Sequence, residues 1–156
     1  MRLRLRVILL GLVFLVVGRL AYWSEPYGIS VDESTYLTIA HSVGSGGSLY
    51  VDAVDRKPPG LFFVYAAIEK LGGAWNIQAI HFSFLLITLL IGFLLALAAY
   101  RISGQIKISE AIFISYLLFS SCFPREIISA NAEYLMMAAV LGGFLLIDRH
   151  AFVAGL

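Results

Sequence analysis

The sequence predicts an all-α integral membrane protein, with about four transmembrane helices and one or two juxtamembrane helices in a long first outer loop. Two observations carry this. Of the 156 residues, 60% are hydrophobic and 13% charged, and the mean hydropathy is +0.90, well above the apolar share of ordinary soluble domains. The apolar runs also leave a single long polar interval, Val31 to Gly60, reading VDESTYLTIAHSVGSGGSLYVDAVDRKPPG. A net charge of only +1 supplies no broad basic field of the kind that binds nucleic acid, so no nucleic-acid partner is expected. The lone Cys122 excludes an internal disulfide framework and reads as a small buried residue of a membrane helix.

The first predicted span covers residues 7–23. MRLRLR precedes it, no small-residue cleavage site follows, and Tyr22 and Trp23 form an aromatic interfacial end, so it reads as an uncleaved anchor. Arg19 lies about a turn inside that end, where its stem lets the guanidinium snorkel to the headgroups. Three further spans are predicted at about 76–100, 108–123 and 130–147; a crossing needs roughly 17 to 25 residues, which makes the middle one marginal. The outer loop is then 24–75. Within it, Tyr36, Ile39, Ala40 and Val43 share one helical face, which predicts a short helix from Asp32 to Val43 lying along the membrane. Ser30 and Glu33 fit a capping box at its start, and GSGGS at 44–48 ends it.

Pro59 to Leu71, PGLFFVYAAIEKL, decides the topology. It is short for a crossing, contains Glu69 and Lys70 and ends at Gly72 and Gly73, so it reads as an interfacial helix. With that choice Arg2, Arg4, Arg6, Arg101, Lys107 and Arg149 all fall on the cytoplasmic side, as the positive-inside rule asks. Counting it as a crossing would put Arg101 and Lys107 outside.

Three places in this arrangement can carry chemistry. Asp32 is an acid at a helix start just outside the bilayer. Arg56 and Lys57 precede Pro58 and Pro59, whose fixed φ suits a helix start with free amides, a plausible phosphate seat. Glu133 stands about a turn inside the outer end of the fourth span, where an ionisable group marks a site or a buried pair. Each has a plainer reading: Asp32 and Glu33 as helix caps, Arg56 and Lys57 as headgroup contacts, Glu133 as the partner of Arg125 or Lys57, and Asp52 and Asp55 as turn formers. His41, His81 and His150 have no mutual ligand spacing. Tyr22, Trp23, Tyr27, Tyr50, Trp75 and Tyr134 read as an aromatic belt.

The Asp32-Glu33 pair with Tyr36 after it, then Gly47-Ser48-Leu49-Tyr50-Val51-Asp52, Lys57-Pro58-Pro59-Gly60 and Ala132-Glu133-Tyr134, resemble the first outer loop and second acidic motif of membrane glycosyltransferases of the class C fold. The nearest likenesses are the dolichyl-phosphate-mannose protein mannosyltransferases and the bacterial aminoarabinose transferase that modifies lipid A. The resemblance implies inverting transfer of a sugar from a polyprenyl-phosphate donor to an acceptor hydroxyl of a lipid, glycan or protein. It implies Asp32 as general base, with Glu33 in the same acidic motif. Lys57, helped by Arg56, would neutralise the departing phosphate, and Glu133 would orient the acceptor or hold a metal. Tyr36, Tyr50 and Asp52 join the substrate-binding set. A divalent cation between Asp32 and Glu133 is left open.

Members of that family are several times longer, and Ala151 to Leu156 reads as the entrance to another membrane helix. The chain is therefore expected to be an amino-terminal fragment, inactive alone, in a cell inner or plasma membrane with its loop facing the periplasm or exterior. The competing expectation is a noncatalytic membrane subunit or relic that binds lipid phosphate or a partner membrane protein.

Overall fold

A computed structural model describes residues 2–23, 29–121 and 129–147. The described residues form helices α1 (Arg2–Trp23), α2 (Val31–Gly44), α3 (Pro59–Gly72), α4 (Ile77–Ser103), α5 (Ile106–Phe119) and α6 (Ala132–Leu146). An isolated bridge between Leu49 and Ala53 is the sole β-type pairing among them. Cys122, Arg125, Tyr27 and Arg149, each given a reading above, lie outside the described residues.

Local sequence accounts for the helix ends. At α2 the Glu33 amide donates to Ser30 Oγ at 3.1 Å and the Ser30 amide to Glu33 Oε2 at 2.7 Å, the capping box read from the sequence. Pro59 opens α3 with Pro58 extended before it, so the helix starts without wasting an amide donor. Asn76 caps α4 by accepting from the Ala79 amide at 3.1 Å. At its other end Gly104 has φ 67, a left-handed turn that lets α5 fold straight back.

Side-chain contacts fix the helix directions. Ser109 Oγ donates to the Ala96 carbonyl at 2.7 Å across the α4–α5 turn, so these two run antiparallel. Gly11 lies against Leu117 and Gly18 against Ser121, so α1 and α5 run parallel. Phe84 meets Tyr134 near the starts of α4 and α6, and Arg101 meets the Leu145 carbonyl near their ends; these two are parallel as well. Hence α1, α4, α5 and α6 alternate in direction, and α2 and α3 sit together at the end where α4 and α6 begin.

Among the described residues α4 alone is long and apolar enough to cross a membrane; Gly11–Leu20 and Ala132–Leu146 are shorter apolar helices. With 27 residues, α4 measures about 40 Å, more than a hydrocarbon core of about 30 Å. Fourteen-residue α5 reaches only about 21 Å. It begins and ends earlier than the span read at 108–123.

The core lies at the α2–α3 end. Tyr36, Leu37, Ile39 and Ala40 of α2 pack on Leu61, Phe62 and Tyr65 of α3 and on Ile80 and Phe84 of α4, with Ala132 and Tyr134 of α6. Edge-to-face rings link Tyr36 to Tyr65 at 5.9 Å, Tyr65 to Phe84 at 5.6 Å and Phe84 to Tyr134 at 6.3 Å. Two expectations change here. The apolar face of α2 is the one read from its spacing, but protein covers it. Arg19, expected to snorkel, is 1% exposed and donates to Thr88 Oγ1 and Tyr134 Oη at 3.1 Å each, with its guanidinium 5.5 Å from the Tyr134 ring centre. Tyr134 is thereby buried inside the bundle and leaves the aromatic belt. The reason is physical: a guanidinium flanked by a hydroxyl and a phenol is solvated by the protein itself.

Candidate functional site

Asp32 and Glu133 share the mouth of a cavity of about 470 Å³ between α5 and α6. Asn131, Tyr116, Phe119, Ser120, Tyr134 and Met137 complete its lining. Lys57 is not part of the lining but reaches Glu133 from the loop before α3: its Nζ stands 3.2 Å from Glu133 Oε1, joining residues 76 apart in sequence. The ammonium also lies 6.0 Å from the centre of the Tyr36 ring, within cation–π range. The contact with Glu133 raises the Lys57 pKa above its ordinary value, so it is a full cation at neutral pH.

The Lys57–Glu133 pair is open to exchange. The Glu133 side chain is 63% exposed, and a pair so hydrated is worth at most about 1 kcal/mol. An anion arriving at Lys57 can therefore replace Glu133 at little cost. Tyr36 carries the ring that Lys57 faces; its hydroxyl is buried, and burial raises its pKa above the ordinary tyrosine value although the nearby Lys57 works the other way, so it stays a neutral phenol.

Glu33 stands elsewhere. It is 0% exposed, and its Oε1 accepts from the Ala130 amide at 2.6 Å and lies 3.0 Å from His81 Nε2. Burial works to raise its pKa, but the His81 ring and the Ser30 and Ala130 amides outweigh it, and the carboxyl is held below the ordinary glutamate value. A carboxylate so enclosed cannot reach a ligand. What it does is tie the start of α2 to α4 and to Ala130, two residues ahead of α6, which sets Asp32 near Glu133.

The remaining candidates shape the loop. Asp52 Oδ2 accepts from the Ser48 amide at 2.7 Å and Asp55 Oδ1 from the Lys57 amide at 2.9 Å, the turn-forming reading of both. Tyr50, at φ 67, donates from its hydroxyl to the Lys57 carbonyl at 2.7 Å. Tyr50 and Asp55 thus hold the backbone of Lys57 from two sides. Arg56 is exposed beside it.

Sequence reasoning missed three partners. His81 and Thr88 answer Glu33 and Arg19, and Glu69 collects the Trp75 amide at 2.7 Å and His41 Nδ1 at 3.1 Å. The available signal was general: a charged group beside an apolar run needs a polar partner, and His81 and Thr88, polar residues of the second span, were the obvious candidates. Among the described residues no three or more His, Cys, Asp or Glu side chains gather as a metal-ligand set. Asp32 and Glu133 alone would leave most of the oxygen ligands of a hard cation to water and substrate.

No protein-family model, curated protein or solved structure matches the chain.

Proposed function

We propose that this chain carries the catalytic entrance of a membrane glycosyltransferase of the class C fold, which moves a sugar from a polyprenyl-phosphate donor to an acceptor hydroxyl with inversion. The observation that carries the reading is that Asp32 and Glu133, far apart in the chain, line one cavity while Lys57 pairs with that same Glu133. The motif resemblance supplies the class of reaction. The alternation of α1, α4, α5 and α6 supports four crossings, with α2 and α3 on the outer face of a cell inner or plasma membrane.

In this reading the acceptor oxygen bonds to the anomeric carbon as the bond from that carbon to the phosphate oxygen breaks. The electron pair leaves with the lipid phosphate, and the acceptor's proton passes to Asp32. Lys57 exchanges Glu133 for the phosphate and neutralises the developing charge, which needs no protonating acid because phosphate is weakly basic. Arg56 adds charge at the rim. Glu133, released from Lys57, orients the acceptor, while Glu33 and Tyr50 are positioning residues.

The test is sugar transfer by the protein expressed from its full reading frame. Asp32→Asn is expected to lower turnover by roughly a hundred- to ten-thousand-fold, the usual worth of a general base, and to leave donor binding intact. Lys57→Ala is expected to weaken the donor. If both variants transfer like the parent, the roles are wrong. The Lys57–Glu133 pair also suits a noncatalytic subunit that binds lipid phosphate; that reading is favoured if the parent binds donor in a Lys57-dependent manner without any transfer.

A further inference from the structure

The cavity between α5 and α6 has two chemically different ends, and their order along the helices is informative. Glu133 and Met137 are four residues apart on α6 and both line the cavity, so they lie one above the other on a single helix face, about 6 Å apart along the axis. Tyr116 and Phe119 are likewise one turn apart on α5 and line the opposite wall. The cavity therefore runs parallel to the helices, with carboxylates and an amide at the α2 end and rings and a thioether below. Met137 and Phe119 remain well exposed beyond it, so the apolar end opens sideways from the bundle.

The polar end selects by hydrogen-bond type. Two carboxylates, Asp32 and Glu133, dominate this end as hydrogen-bond acceptors, with the Asn131 amide able to donate as well as accept, so a ligand head rich in O–H groups suits it. Phosphate oxygens would face two carboxylates instead, while Lys57, paired with Glu133 and not lining the cavity, is the group an anion would meet. The apolar end needs a chain or ring to cover it, which a free sugar lacks.

We propose that this cavity is the acceptor site and that the acceptor is an amphiphile, a membrane lipid with an uncharged, hydroxyl-bearing head. The head sits between Asp32 and Glu133 and the hydrocarbon lies along Tyr116, Phe119 and Met137, entering laterally from the bilayer. This rests on the glycosyltransferase reading for the word acceptor, and the site itself is testable without transfer.

The experiment uses the whole chain in phosphatidylcholine nanodiscs with a photoactivatable alkyl glucoside, its diazirine on the alkyl chain, and maps the labelled peptides by mass spectrometry. Labelling is expected at α5 and α6 around Phe119 and Met137. Unlabelled dodecyl glucoside should displace the probe, free glucose should not, and dodecyl phosphate should do so about tenfold less well. Met137→Trp should cut labelling about tenfold and leave dodecyl phosphate binding, read through its loss in Lys57→Ala, unchanged. Labelling elsewhere, displacement by glucose, or equal or better displacement by dodecyl phosphate would each overturn the proposal. So would undiminished labelling of a folded Met137→Trp protein. Should that variant fail to fold, the competitor series on the parent chain decides. Loss of this proposal leaves the Asp32 and Lys57 transfer test standing, and failure of that test leaves the labelling result readable as a lipid site.

Discussion

Asp32 and Glu33 are neighbours with opposite fates, because one helical step turns a side chain through about 100°. Asp32 looks into the cavity mouth; Glu33 looks inward and meets His81 and the Ala130 amide. Removing one partner of such a buried pair strands the other, so Glu33→Ala is expected to lower stability by about 3–5 kcal/mol, measured by unfolding in mild detergent. The pH dependence follows from the direction of the shift. The folded carboxyl titrates below its ordinary value of 4.5, so its stabilisation is fully present above that value and drains away as pH falls through the lower, folded one. Melting curves across the acid range should show this loss in the parent and a flatter acid limb in Glu33→Gln. A flat parent curve would remove the argument. The capping box of Ser30 and Glu33 was legible because its two residues are three apart. The His81 contact spans 48 positions, and nothing local in either segment encodes it. Arg19 failed for a related reason: its stem length permits snorkelling, and only the packed partners Thr88 and Tyr134 show that the chain does otherwise.

At the scale of elements, small residues decide how closely the helices approach. A Cβ on Gly18 would sit 3.0 Å from the Ser121 carbonyl oxygen, backbone that cannot rotate aside, whereas one on Gly142 would meet nothing. Gly18→Ala should therefore push α1 from α5 and cost about 1–3 kcal/mol. Gly142→Ala should be neutral or gain up to about 1 kcal/mol through helix propensity. Thermal unfolding of the pair in the same detergent checks both, and equal shifts would show that the α1–α5 contact is looser than this. Helix identity was the readable part at this scale. The face of α2, the prolines opening α3 and the glycines closing both follow from spacing and backbone sterics. The partner of that α2 face was not readable, because an apolar stripe looks the same whether lipid or another helix covers it. The ring chain from Tyr36 through Tyr65 and Phe84 to Tyr134 shows that helices cover it.

For the whole molecule, the fate of α3 sets the sidedness of everything after it. Packed against α2 at the end where α4 starts, α3 returns the chain to the face it left, so α4 runs back through the bundle and its turn to α5 at Gly104 and Gln105 lies on the opposite face. Basic residues agree, with Arg101 and Lys107 flanking that turn and Arg2, Arg4 and Arg6 opening α1. If the bundle spans a membrane, Ser48 and Gln105 must then face opposite compartments, whereas a crossing α3 would place them on the same side. In a Cys122→Ser background, Ser48→Cys should react with a membrane-impermeant maleimide in intact cells or spheroplasts. Gln105→Cys should react only after permeabilisation. Labelling of both without permeabilisation would make α3 a crossing. It would also put Glu133 on the opposite side from Asp32 and Lys57, and the shared cavity mouth on which the proposed chemistry depends could not form.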